Sequence, residues 1–148
     1  MFILGLNAFH GDASACIFKD GNLIVAAEEE RFTRIKHAAG FPLKSIEFCL
    51  KKINIDLDQI DYITINRNPK LRISKKAIYA LKNIFNLKNI NNRYSNFKKI
   101  NSLESQFNKF FYSTKKNLAK KIIHVDHHLS HAASSVIPSE YSECNFIT

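Results

Sequence analysis

The sequence contains little cysteine, proline or glycine: its 148 residues include three Cys, three Pro and four Gly. So few glycines and prolines, together with 45% hydrophobic residues, exclude a collagen-like or wholly disordered chain. The cysteines, at positions 16, 49 and 144, are scattered and form no CxxC pair, which excludes a disulfide scaffold and indicates buried thiols. The class that remains is a globular protein of one domain.

Long hydrophobic runs are also missing. None approaches the roughly 20 residues that are needed to span a bilayer. The apolar opening stretch, residues 2–6, is too short for a secretory signal and has no basic residues before it. We therefore expect a cytoplasmic protein that does not associate with membranes.

The net charge of +9 comes from one segment of the chain. Residues 67–121 contain 15 Lys or Arg and a single acid, Glu104, whereas the rest of the chain is acidic overall. Interleaved Tyr79, Tyr94 and Phe97 would suit contact with a nucleic acid. No Gly-rich RNA-binding motif or zinc knuckle accompanies them, and the excess of Lys over Arg favours a solvated basic surface, so a nucleic-acid partner is the less favoured interpretation.

The hydrophobic pattern predicts an α/β fold that begins with three strands. Apolar runs at 2–7, 14–18 and 23–27 are separated by short connections, so they must pair mainly as an antiparallel meander. The second connection contains Asp20-Gly21, which has the chemistry of a tight hairpin turn.

Helices alternate with strands in the rest of the chain. Apolar residues at spacings of three and four, after Pro42, predict a helix over 42–53, and Asp126 is suited to cap a helix that begins at His127. Because parallel strands need crossover connections, the later strands should extend the meander into a mixed five-stranded sheet with crossover helices. The other predicted elements are strands at 60–65 and 122–125, helical stripes at 77–85 and 103–111, and a loop at 86–101.

The last residues, 144–148, have the pattern of a strand that is just beginning. A domain that stops inside an apolar strand leaves an unpaired edge. We therefore expect residues 1–143 to form a first lobe, with a variable basic helical segment at 66–121. Residues 144–148 would then begin a truncated second lobe, encoded by a shortened or split reading frame.

The sharpest motif is the pair His127 and His131. Residues four apart lie on one face of a helix, so both imidazoles can reach one metal ion. The positive end of the helix disfavours imidazolium and so favours the neutral, metal-binding form. The pair lacks the internal Glu of the HExxH metalloproteases. A polar helix start with satisfied histidines is the alternative.

The connection between the first two strands holds His10, Asp12 and Ser14. A turn of small, hydrogen-bonding residues can offer backbone N–H groups and a hydroxyl to a phosphate oxygen. His10 and Asp12 could act as acid or base, or could support metal ligands. A plain hairpin turn is the alternative interpretation.

A charged run follows the third strand. Three acids at 28–30 precede Arg31, Arg34, Lys36 and His37. The cations could clamp a small phosphorylated anion, because Arg supplies a forked donor geometry and Lys a compact charge. A solvated charge run is equally compatible with this pattern.

These three clusters, in this order, resemble the N-terminal portion of the carbamoyltransferase family that includes nodulation-factor and antibiotic O-carbamoyltransferases. The resemblance lies in residues 3–50, ILGLNAFHGDASACIFKDGNLIVAAEEERFTRIKHAAGFPLKSIEFCL, and in residues 125–141, VDHHLSHAASSVIPSEY. Residues 66–121 carry no comparable match.

The resemblance implies a sugar-kinase/actin-like (ribonuclease H-like) fold, with nucleotide and metal between two similar lobes. Family members use carbamoyl phosphate and ATP to make carbamoyl-adenylate and then pass the carbamoyl group to an acceptor hydroxyl. It also implies that His127 and His131 bind a divalent, iron-type ion. By the same resemblance the catalytic residues are His10, Asp12 and Lys36, and the substrate-binding residues are Ser14, Glu29, Arg31 and His37.

The family's later metal-ligating Asp and its adenylate-forming domain have no counterpart in these residues. Two histidines make a weak metal site, since active metal sites normally present about three protein ligands. We therefore expect the chain to be inactive alone and to need a downstream partner chain that carries the second lobe. The alternatives are a basic nucleic-acid-binding module and a non-catalytic partner of a full-length relative.

Overall fold

A computed structural model describes residues 1–67, 103–111 and 118–136. The strands are β1 (Phe2–Asn7), β2 (Ser14–Lys19), β3 (Asn22–Glu28), β4 (Tyr62–Ile65) and β5 (Ile122–His124). The helices are α1 (Glu30–Thr33), α2 (Leu43–Lys52), α3 (Leu103–Phe110) and α4 (His127–Val136), and short 3-10 turns form at Leu57–Gln59 and Leu118–Lys120.

The strands form one mixed sheet in the order β3-β2-β1-β4-β5. β1 pairs antiparallel with β2, and β2 with β3, whereas β1 pairs parallel with β4, and β4 with β5. The hairpin between β2 and β3 turns through Asp20 and Gly21, whose φ angles of 50° and 87° are both positive. This geometry suits the right-handed twist of the paired strands. The predicted meander and the mixed five-stranded sheet are therefore confirmed.

One face of the sheet packs against α2 and α3. Alternate residues of β1, β2 and β4 point to this face, as the period of two along a strand requires. The apolar face of α2 and the buried Leu103 and Phe107 of α3 cover them. The fully buried core residues on this side include Leu4, Ile17, Ile46, Cys49, Ile63, Ile65 and Phe107.

The opposite face of the sheet carries an open groove. The groove has a volume of about 1060 Å³ and is bordered by residues of β1, β2 and β4 and by Ser130 and Ala133 of α4. Gly5 lies on this face, where a Cβ atom would stand 2.8 Å from Sγ of Cys16. The absence of a side chain at position 5 therefore leaves room on β1 for the side chain of Cys16, its partner on β2.

Several predicted elements are confirmed with small shifts. The helix expected over 42–53 spans Leu43–Lys52, because Pro42 and Ile53 are its caps. The stripe at 103–111 forms α3. The strand expected at 60–65 begins at Tyr62, since Asp56 and Gln59 form a capping box that makes the preceding residues a 3-10 turn.

The sequence pattern does not indicate α1, because its alternating charges have no helical period of apolar residues. Its Phe32 nevertheless contacts Phe48 of α2, with ring centroids 5.4 Å apart. Cys16 and Cys49 are free thiols; Cys49 is buried, as expected, whereas Cys16 is only half-buried because it faces the open side of the sheet. The helical stripe at 77–85, the loop at 86–101, Cys144 and the strand start at 144–148 lie outside the described residues. Within the described ranges, no helix combines the length and the apolar character that a membrane span requires.

We predict that Gly5→Ala lowers the free energy of unfolding by about 1–3 kcal/mol, because the new methyl group would overlap Cys16 Sγ. Chemical denaturation measures this loss. Combining the change with Cys16→Ala should restore part of the stability, since the clashing sulfur is removed. Gly11→Ala is the matched control, because a Cβ there meets no atom within 4 Å. Equal losses at positions 5 and 11 would contradict this explanation.

Candidate functional site

The candidate residues lie where the three parallel strands end. β1, β4 and β5 run in the same direction, so the segments that follow Asn7, Ile65 and His124 meet at one edge of the sheet. In α/β sheets, ligands bind at the carboxyl ends of parallel strands. The loop at 34–40 joins this edge, because its Ala38 and Gly40 carbonyls accept hydrogen bonds from the backbone of the loop at 8–13.

The two predicted metal ligands face each other on α4. Asp126 Oδ1 accepts hydrogen bonds from the N–H groups of His128 and Leu129, at 2.9 and 3.3 Å, and so fixes the start of the helix. Nε2 of His127 lies 3.2 Å from Nε2 of His131, and both side chains are exposed. Two nitrogens about 2.1 Å from one ion would be separated by roughly 3.0–3.4 Å, so the pair fits a shared cation.

His10 joins this pair from the other side of the edge. Its ring centroid lies 6.2 Å from that of His127. Nδ1 of His10 is 3.3 Å from the carbonyl oxygen of Gly11, which can only accept, so Nδ1 is the donor in this contact and Nε2 is the other ring nitrogen. Among the described residues, no three His, Cys, Asp or Glu side chains are grouped closely enough to hold a metal ion. The donor set in the described chain is therefore two imidazoles, with a third nearby.

Asp12 and His37 form a hydrogen-bonded ion pair between the two loops. Nδ1 of His37 lies 2.8 Å from Oδ1 of Asp12, and the backbone N–H of His37 donates to Glu30 Oε2 at 3.3 Å. The hydrogen bond to Asp12, and then its negative charge, raise the pKa of His37 above its ordinary value of 6.5. Lys36, adjacent to His37, is exposed. The pair thus ties the loop that carries Lys36 to the loop that carries His10.

Glu29 is buried and caps a helix. Its side chain is 8% exposed, and its carboxylate accepts hydrogen bonds from the N–H of Lys44 and from the N–H and hydroxyl of Ser45, at 3.2, 2.9 and 2.8 Å. These are N–H groups of the first turn of α2, whose N-cap residue, Pro42, offers no side-chain acceptor. In the structure the carboxylate of Glu29 therefore supports α2.

The other predicted substrate-binding residues border the groove. Ser14 begins β2 and Arg31 lies in α1, and both line the open face of the sheet. Arg31 is exposed and lies 3.9 Å from Glu28 Oε2 in a loose ion pair. The structure thus brings His10, His127 and His131 together, joins Asp12 to His37 beside Lys36, and leaves Ser14 and Arg31 on the adjoining groove.

A chain of polar contacts that the sequence motifs did not indicate holds the loop at 8–13. Nδ2 of Asn7 donates to the carbonyl oxygens of Gly11 and Asp12, at 3.2 and 2.8 Å. Nδ2 of Asn66 donates to Oδ1 of Asn7 at 3.1 Å. The signal available in the sequence was the position of both asparagines at the ends of apolar strands. Oδ1 of Asn66 is buried and finds no donor in the described part of the chain.

Arg67 is a second residue that the motifs did not indicate. Its Nη1 donates to the carbonyl oxygen of Phe9 at 3.1 Å, and its own carbonyl oxygen accepts from Nδ1 of His124 at 2.8 Å. Sequence reasoning counted Arg67 only as the first residue of the basic segment. Tyr79, Tyr94 and Phe97 of that segment lie outside the described residues, so the nucleic-acid interpretation stays a prediction.

Comparison with known proteins identifies the class. The family model described as carbamoyltransferase N-terminus matches residues 2–146, and the chain belongs to this family. The nodulation protein NolNO of Sinorhizobium fredii is 44% identical over 57 residues, which are 38% of this chain and 8% of that protein.

Two further relatives are uncharacterised proteins. The one from Synechocystis sp. is 45% identical over 67 residues, covering 45% of this chain and 11% of that protein. The one from Methanocaldococcus jannaschii is 37% identical over 89 residues, covering 52% of this chain and 17% of that protein. The chain thus spans less than a fifth of the length of each of these three relatives.

We predict that the His37 imidazole titrates above pH 6.5 and that Asp12→Asn lowers its midpoint. A raised pKa means that the fold favours the protonated ring. The stabilisation from the pair is therefore complete below pH 6.5 and is lost as the pH rises through the pKa of His37. NMR titration of the ring protons measures the midpoint. The same midpoint in both proteins would show that Asp12 is not the cause.

Glu29→Gln should lower the free energy of unfolding by about 1–3 kcal/mol, because an amide NH₂ would face buried N–H donors that the carboxylate now satisfies. Urea denaturation checks this value. Glu28→Gln is the matched control, since Glu28 is exposed and makes only the loose pair with Arg31. A loss no larger at position 29 than at position 28 would refute the capping role.

Proposed function

We propose that this chain is part of an ATP-dependent O-carbamoyltransferase. Such an enzyme takes the carbamoyl group from carbamoyl phosphate, through carbamoyl-adenylate, to an acceptor hydroxyl. Membership of the carbamoyltransferase N-terminus family supports carbamoyl transfer in general. The observation that carries the finer proposal is the convergence of His10 with His127 and His131 at the edge where Asp12 and His37 join the neighbouring loop.

His127 and His131 would hold a divalent, iron-type ion through their facing Nε2 atoms. The 3.2 Å separation of those atoms fits two ligands of one ion. When bound, such an ion would supply positive charge beside the phosphate groups of the nucleotide. Because two protein nitrogens fall short of the roughly three ligands usual in active metal sites, the remaining ligands would come from elsewhere in the complete enzyme.

His10 is the proposed general base. Its Nδ1 proton is held by the Gly11 carbonyl, so Nε2 is the atom that can accept the proton of the acceptor hydroxyl. The acceptor oxygen then bonds to the carbamoyl carbon, and the bond from that carbon to the adenylate phosphate oxygen breaks. Its electron pair leaves with AMP.

The loop residues would position and stabilise the reacting group. Lys36 is exposed beside His37 and can stabilise negative charge on the carbonyl oxygen or leaving phosphate. Asp12 holds His37, and both residues adopt positive φ angles, 59° and 56°. Ser14 and Arg31 would contact substrate in the groove. Glu29 would act through the α2 start that it caps.

The finer fold assignment, a sugar-kinase/actin-like (ribonuclease H-like) lobe, is also part of this proposal, and the mixed five-stranded sheet is compatible with it. We propose that carbamoyl transfer needs a second lobe, either from a downstream partner chain or within a longer polypeptide, and that the chain is inactive without it. Because its proposed substrates are ATP and carbamoyl phosphate, we expect the enzyme to act in the cytoplasm.

We predict that the purified chain binds Fe²⁺ under anaerobic conditions and that a His127→Ala, His131→Ala double variant does not. Equilibrium dialysis followed by metal analysis measures the bound ion. His128→Ala is the matched control, because His128 lies on the same helix but outside the facing pair. Equal metal content in the wild type and the double variant would remove these histidines from the metal site and would overturn the proposal.

A further inference from the structure

Arg67 makes a hydrogen bond to each of the two segments that lead into the site histidines. On one side its guanidinium donates to the carbonyl oxygen of Phe9, the residue immediately before His10. On the other side its backbone accepts a hydrogen bond from His124, the last residue of β5, which is followed within three residues by His127. Because the rings of His10 and His127 are only 6.2 Å apart, these contacts locate Arg67 at the same edge.

The charge of Arg67 is not neutralised by the described chain. Its side chain is partly buried, and none of the ion pairs between described residues involves it. Two acids of the site are engaged elsewhere: Asp12 pairs with His37, and Asp126 caps α4. A partly desolvated cation that finds no counter-ion among residues 1–67, 103–111 and 118–136 is costly, so an anion is the expected partner.

The guanidinium has the donors that a phosphate needs. Among the described residues only Phe9 accepts from the guanidinium, through Nη1, so four of the five N–H groups make no hydrogen bond to that part of the chain. Arginine binds phosphate through two parallel hydrogen bonds, and the contact with Phe9 limits the rotation of the side chain. His124 fixes the backbone beneath it. The guanidinium of Arg67 is thus pre-positioned at the edge of the sheet where ligands of α/β folds bind.

We propose that Arg67 binds a phosphate group of the carbamoyl donor. This inference rests on the proposed function and adds a residue that no motif or comparison assigned. Two phosphate sources share the required chemistry: carbamoyl phosphate itself, and the adenylate phosphate of the activated donor. Arg67 would hold that phosphate beside His10 and the α4 imidazoles, so that the carbamoyl carbon faces Nε2 of His10.

The first test compares the 148-residue wild type with Arg67→Gln by isothermal titration calorimetry, using inorganic phosphate, carbamoyl phosphate and AMP as separate probes. Loss of a bidentate, charge-assisted contact should weaken binding by about tenfold or more. The affinity of Arg67→Lys, which keeps the charge but lacks the forked guanidinium, should fall between those of the wild type and Arg67→Gln. Lys52→Gln is the matched control, because it removes one exposed positive charge at the far end of α2.

The pattern of losses identifies the source of the phosphate. If Arg67→Gln loses affinity only for carbamoyl phosphate, the site belongs to that substrate. If it loses affinity for AMP, the site belongs to the adenylate. Equal effects of Arg67→Gln and Lys52→Gln, or no effect of Arg67→Gln, would overturn the proposal in favour of a purely structural contact with Phe9.

A second measurement needs no variant to fold. The guanidinium ¹⁵N resonances of Arg67 in the wild type should shift when inorganic phosphate is added, and unshifted resonances would refute the assignment. Failure of the wild type to bind any of the three probes would also refute it. Iron binding that depends on His127 and His131 would in that case leave the proposed function standing, whereas its absence would remove both.

Discussion

The amide side chain of Asn7 holds the loop at 8–13, and the residues that this loop contributes to the site depend on that contact. Its two N–H groups close the loop onto the carbonyls of Gly11 and Asp12. This closure holds Phe9 and Asp12 at positive φ angles of 60° and 59°, which non-glycine residues rarely adopt without support from their surroundings. Asn66 then fixes the orientation of the Asn7 amide, because Nδ2 of Asn66 can only donate and therefore faces the oxygen of that amide.

Glu29 extends this constraint to the second layer of the fold. Its carboxylate caps α2, while its backbone N–H donates to the carbonyl oxygen of Ala13 at 2.8 Å. The end of the loop at 8–13 is therefore tied to the helix that covers the core. The loop at 34–40 lies between these anchors and is held by Ala38, Gly40 and the Asp12–His37 pair. The charged run at 28–37, for which a solvated surface was the alternative interpretation, therefore has two environments. Glu29 is buried, whereas Arg31 and Lys36 are exposed.

The sequence predicted the sheet and the α4 pair well because both follow from short-range periodicity. Alternating apolar residues gave the strands, and the four-residue spacing of His127 and His131 put both rings on one face. The roles of Asn7, Asn66 and Arg67 could not be predicted in this way. Their contacts join residues from 4 to 59 positions apart, and polar residues after a strand are also common in ordinary turns. The burial of Glu29 could not be predicted for a related reason, since its contacts with the start of α2 join residues 15 and 16 positions apart.

The helix that carries the facing imidazoles buries none of its residues, and Leu129 is 61% exposed. Its conformation is thus maintained by its own backbone bonds and by Asp126, with little hydrophobic contribution. A ligand that bound both His127 and His131 would connect the two ends of one helical turn. It would thereby suppress fraying at the start of the helix. Part of the free energy of ligand binding would then offset the conformational entropy that the helix loses when it is ordered. Coordination chemistry and secondary-structure formation are consequently coupled at this end of the fold.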